Sequence, residues 1–114
     1  MRLPPYYKQD PSPKLPDPAY NYHGFTGVIP KNGKEEIDPK LNVGETGLIS
    51  VIDTPSLTPS HDGLFYIART SESNYQIDTL ASRQVLISSV GSVVSIENKG
   101  VTSEAYKWAI IHLI

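Results

Sequence analysis

The chain has 114 residues, a formal net charge of −2 and no cysteine, so it holds one domain at most and can form neither disulfides nor thiolate metal sites. Its Lys and Arg residues are spread singly, which disfavours a nucleic-acid interface, and its unbroken apolar runs, such as Trp108 to Ile111, are far too short for a membrane span. The opening Met1-Arg2-Leu3-Pro4-Pro5 has no apolar signal segment, so synthesis in a cytoplasm is expected.

Six of the ten prolines fall in the first 18 residues and alternate with tyrosines: Pro4, Pro5, Tyr6, Tyr7, Pro11, Pro13, Pro16, Pro18, Tyr20 and Tyr22. Proline at this density forbids a helix and pushes each preceding residue towards extended geometry. Residues 1–24 are therefore expected to form an extended arm, polyproline II in character, at about 3.1 Å per residue. Disordered linkers are poor in aromatics, whereas this arm carries four of the seven tyrosines. The predicted role is attachment, with Pro4, Pro5, Tyr6, Tyr7, Tyr20 and Tyr22 as the partner-binding residues. Residues 1–40 hold six Lys/Arg against five Asp/Glu, so the partner is expected to be a protein groove gripped by aromatic and backbone contacts. Pro4-Pro5-Tyr6-Tyr7 fits a ligand for WW-type domains and Pro13-Lys14-Leu15-Pro16 one for SH3-type grooves. Both patterns arise by chance in any Pro-rich segment, and an arm laid along a neighbouring subunit accounts for the whole stretch.

Residues 25–47 read as a loop-rich transition, with a strong turn at Lys31-Asn32-Gly33-Lys34 and a short hairpin as one option between Phe25–Pro30 and Glu35–Ile37. From residue 48 to 114 the pattern is that of a β domain. Leu48–Ile52 and Leu64–Ala68 are expected strands, Tyr75-Gln76-Ile77 a short edge strand, and Val85–Ile87 with Val93–Ile96 a hairpin around Gly91-Ser92. Asn98-Lys99-Gly100 is the next turn. The last strand is the clearest: Tyr106, Trp108, Ile110, His112 and Ile114 share one face at period two. These residues, Tyr106, Trp108, Ile110 and His112 above all, are expected in the core or at an oligomer interface. A helix over 103–113 competes, with Ser103 as its cap, but the β-branched and aromatic content favours strand. The fold class that follows is all-β, a small antiparallel sandwich or barrel preceded by the extended arm. A core of this size is marginal alone, so a homo-oligomer, trimer or dimer, is expected.

Catalytic chemistry is hard to place. His23, His61 and His112 have no metal-ligand spacing, and neither a metal nor a cofactor is expected. A hydrolytic reading would pair a serine such as Ser60 with His61 between Asp53 and Asp62, but no nucleophile elbow accompanies them. Asp53 and Asp62 are expected to cap turns, and no enzyme activity is expected. Exposed aromatics such as Tyr66, Tyr75 or Trp108 could instead form a sugar-stacking face, making the chain a carbohydrate-binding module for a host surface glycan.

Ile52-Asp53-Thr54-Pro55, Asp62-Gly63-Leu64-Phe65-Tyr66-Ile67-Ala68 and Ser71-Glu72-Ser73-Asn74-Tyr75 together resemble a module of bacteriophage fibre and tail proteins, in which a Thr-Pro loop precedes an Asp-Gly strand and a Ser-rich turn ends in tyrosine. The resemblance covers residues 52–75. It implies a virion structural protein, a head or tail fibre component, anchor or capsid decoration, whose partners are capsid, portal or fibre proteins. No catalytic residue is carried by that segment.

Overall fold

The computed structural model describes residues 21–54 and 61–114. The arm residues Pro4, Pro5, Tyr6, Tyr7 and Tyr20 and the loop serine Ser60 lie outside them. Among the described residues eight strands follow one another: β1 (Tyr22–Ile29), β2 (Lys34–Ile37), β3 (Thr46–Thr54), β4 (Asp62–Ser71), β5 (Asn74–Arg83), β6 (Val85–Val90), β7 (Val93–Asn98) and β8 (Glu104–His112). They form a five-stranded sheet in the order β1-β8-β3-β4-β5 and a three-stranded sheet in the order β2-β7-β6, with every pairing antiparallel. The fold is an all-β sandwich.

Alternation along each strand decides which side chains meet between the sheets. The large sheet contributes Ile49 and Val51, Phe65 and Ile67, Tyr75, and Tyr106, Trp108 and Ile110; the small one contributes Ile37, Val85, Ile87, Val94 and Ile96. Phe65, Ile49, Ile67, Ile96, Tyr106 and Ile110 are wholly shielded from solvent, and each such side chain stabilises the fold by about 1.5–3 kcal/mol. The last segment is a strand rather than a helix, and it is central: β8 pairs with β1 on one side and β3 on the other. Tyr106, Trp108 and Ile110 are core residues of the single chain and His112 is half-buried. Ile114, expected on the same buried face, lies past the strand and is exposed.

The segment expected to be loop-rich, 25–47, instead holds most of β1 and all of β2, and β structure begins at Tyr22 rather than at residue 48. The turn at Asn32-Gly33 is present, with Asn32 at φ 63°, but it does not close a hairpin. β1 ends before Pro30, and the turn hands the chain to the other sheet, where β2 pairs with β7. Two bonds fasten the turn to the end of β7: Asn32 N–H donates to the Asn98 carbonyl at 3.0 Å and Asn98 N–H to the Gly33 carbonyl at 2.9 Å. The other crossing is sharper still. Gln84 alone, at φ 60°, separates β5 in one sheet from β6 in the other. A non-glycine residue in that region is uncommon, and the corner is braced by Lys99 N–H donating to the Gln84 carbonyl at 2.9 Å.

β5 runs for ten residues where only Tyr75-Gln76-Ile77 was expected. Residues 78–83 have no apolar alternation because they lie on an edge strand, joined to β4 by backbone pairing and, at its end, by the Asp62–Arg83 ion pair. β1, the opposite edge, carries a bulge between Phe25 and Val28. There the Thr26 hydroxyl accepts from Tyr106 N–H at 2.9 Å and donates to the Gly27 carbonyl at 2.7 Å, replacing the ladder bond that the bulge removes. Gly27 N–H in turn donates to Glu35 Oε1 on β2 at 3.0 Å, which ties the two sheets at this edge.

Candidate functional site

Two features stand apart from the packed core. The first is the outer face of the five-stranded sheet. Register sets its rows: Phe25, Lys107, Ile52, Asp62 and Arg83 in one, and His23, Ala109, Ser50, Leu64 and Ala81 in the next. The second row is built of small side chains in the middle, so the face sinks into two shallow depressions that meet at Ser50 and Ile52. Phe25 is 66% exposed and Val28 70%, and Leu64 and Ile111 add to an apolar surface that no element of the described residues covers. Asp62 and Arg83 close one end with a two-pronged ion pair, both contacts 2.8 Å. The Arg83 guanidinium bonded to it holds the Asp62 carboxyl below the usual range. Asp62 is thus a paired strand residue and not the expected turn cap.

The second feature lies at the inner end of β3, β4 and β8. Asp53 is buried on β3, His61 is buried just before β4, and Glu104 opens β8 half-buried. Pairing Thr54 with Ala105 and Asp53 with Tyr106 brings the three together, with one ligand-type atom from each within 4.8 Å of the others. Asp53 N–H donates to the His61 carbonyl at 2.9 Å, and His61 Nδ1 stands 3.7 Å from Asp53 Oδ2. Asp53 is therefore a buried carboxylate facing an imidazole, where a turn cap was expected. The Tyr106 ring lies 6.4 Å from the His61 ring. Burial, and then the negative charges of Glu104 and Asp53, push the Tyr106 hydroxyl up to about 12. Gly100 is required beside His61, because a Cβ there would stand 2.1 Å from Nε2.

Of the residues predicted to act, Tyr22 pairs with Ile110 on edge strand β1 and is exposed, its ring 5.5 Å from that of Trp108. Trp108 and Tyr75, named for a sugar-stacking face, are buried; Tyr66 is half-buried on the outer face. Sequence reasoning set Asp53 beside His61 but missed Glu104, which only the β3–β8 register brings near. It also missed Asn98, read merely as a turn residue. Asn98 is wholly buried and its side chain joins three segments, donating to the Ile29 carbonyl at 2.9 Å and the Thr102 carbonyl at 2.8 Å while accepting from Gly100 N–H at 2.9 Å.

No family model matches the chain, and no curated protein does. Among solved structures, the tailspike protein of Acinetobacter phage vB_ApiP_P1 is similar, with a TM-score of 0.59 at 10% sequence identity. The likeness is one of fold. It covers 99% of this chain and 24% of the tailspike chain, so the chain spans about a quarter of its neighbour's length. The shared region extends well beyond residues 52–75, the stretch that resembles phage fibre and tail modules.

Proposed function

We propose that the chain is a non-enzymatic structural module of a phage virion, which attaches through its Pro/Tyr-rich N-terminal segment and oligomerises through its β body. The observation that carries this reading is the open apolar outer face of the large sheet, bordered by the edge strand into which the N-terminal segment leads. An uncovered apolar surface of this kind marks a protein contact, and an edge strand next to it offers unpaired backbone groups to a partner. The tailspike-like fold supports a place in the virion, in a head or tail fibre, an anchor or a capsid decoration, with capsid, portal or fibre proteins as partners. The buried positions of His61 and Asp53 support a structural role over a hydrolytic one.

Light scattering on the purified chain is expected to give a dimer or trimer, and Phe25→Asp combined with Leu64→Asp a folded monomer with an unchanged far-UV spectrum. An oligomer that survives both substitutions would remove the outer face from the assembly role. For the arm, the deletion should stop at residue 20. Residues 22–24 belong to β1, and Gly24 and Tyr22 pack on Trp108, so a longer cut would damage the body. The truncated chain is expected to fold and to be absent from particles; normal incorporation would end the attachment role.

A further inference from the structure

We propose that Asp53, His61 and Glu104 bind a divalent transition-metal ion of the zinc type at the base of the β3–β4 connection. The site consists of one imidazole and two carboxylates drawn from three different strands' ends, with a ligand atom of each within 4.8 Å of the rest. Zinc bonds of about 2.0–2.2 Å to such atoms place tetrahedral ligands about 3.4 Å apart. The 3.7 Å gap between His61 Nδ1 and Asp53 Oδ2 is close to that spacing and too long for a hydrogen bond.

A second observation points to a cation. Asp53 is 4% exposed and its Oδ1 has no hydrogen-bond partner among the described residues, and the same holds for the hydroxyl of fully buried Tyr106 beside it. A buried carboxylate left in this state is costly, and Asp53 together with the half-buried Glu104 near one imidazole concentrates negative charge that a divalent ion offsets. The surroundings also hold the donors in place. Gly100 backbone lies against the Nε2 edge of His61, so Nδ1 faces Asp53, and Thr102 Oγ1 donates to Glu104 Oε2 at 2.7 Å, which steadies that carboxylate. Because an imidazole is among the donors, zinc and its neighbours in the transition series suit the site better than calcium or magnesium. An ion there would fasten Asp53 to His61 and so clamp the two ends of the connection that residues 55–60 complete.

The test uses the full chain without an affinity tag, stripped with chelator and titrated calorimetrically with zinc chloride. About one ion per chain should bind, thermal stability should rise on binding, and calcium should produce neither effect. Glu104→Gln keeps the shape and the Thr102 contact of a half-exposed residue, so it should fold and lose affinity about tenfold or more; Asp53→Asn should do the same. His23→Ala, at an exposed histidine remote from the site, should bind as the parent does. Absence of stoichiometric zinc binding, undiminished binding by both carboxylate variants, or loss of binding in His23→Ala would each overturn the site.

Discussion

Asn98→Ala is expected to destabilise the fold on the order of 4 kcal/mol. The side chain is fully enclosed and uses both ends at once. Truncation leaves the Ile29 and Thr102 carbonyls and the Gly100 amide without their partner, and each stranded buried group costs about 1–3 kcal/mol. For a domain of this size the midpoint of thermal unfolding should fall by roughly 20 °C, at about 4–8 °C per kcal/mol. Asn98→Asp separates hydrogen bonding from packing. It keeps the oxygen that accepts from Gly100 but turns an acceptor towards two carbonyls. A carboxyl there is favoured in its protonated form, so its folded pKa lies above the unfolded value. Its stability should therefore recover as pH is lowered through that raised pKa and be lost as pH rises, whereas the alanine variant should show no such pH dependence. An Asn98→Asp protein as stable as the parent at every pH, beside a destabilised alanine variant, would mean that volume, not the three hydrogen bonds, is what Asn98 supplies.

What could be read in the sequence follows the strength of its alternation. β8 was legible because Tyr106, Trp108 and Ile110 alternate with Lys107, Ala109 and Ile111, and β6–β7 because Gly91, at φ 61°, supplies the tight turn between two β-branched runs. β1 and β2 were not legible. Gly24 and Gly27 dilute the apolar signal of β1, and Lys34-Glu35-Glu36 gives β2 the charged face of a protected edge strand. Which sheet each strand joins was also hidden, since the crossings at Asn32-Gly33 and Gln84 are decided by contacts with Asn98 and Lys99 far along the chain. The same limit applies to the cluster at the base of the sandwich. Asp53 and His61 are near in sequence and were noticed together, but Glu104 arrives through a strand register that no local pattern encodes.

Trp108→Ala should cost about 3–5 kcal/mol, the usual range for emptying a large aromatic site, and the chain offers little to refill it. Trp108 is the single tryptophan, it is 5% exposed, and its cross-strand neighbour on β1 is Gly24. The absence of a Cβ there is what admits the indole, since a Cβ on Gly24 would stand 2.9 Å from Nε1. Gly24→Ala should therefore be destabilising by overpacking, by about 1–3 kcal/mol, although it adds only a methyl to a strand. The two effects are linked through one volume. Trp108→Phe withdraws the part of the ring nearest Gly24, so the pair Gly24→Ala with Trp108→Phe should be less damaging than the sum of the single changes, with a coupling of about 0.5–3 kcal/mol. Chemical denaturation of the four proteins, followed by far-UV circular dichroism because the phenylalanine variants lack the indole, measures that coupling. Simple additivity would show that β1 yields to the added methyl by moving away from β8. In that case the edge strand that borders the proposed assembly face would be a loosely held element and not a fixed rim.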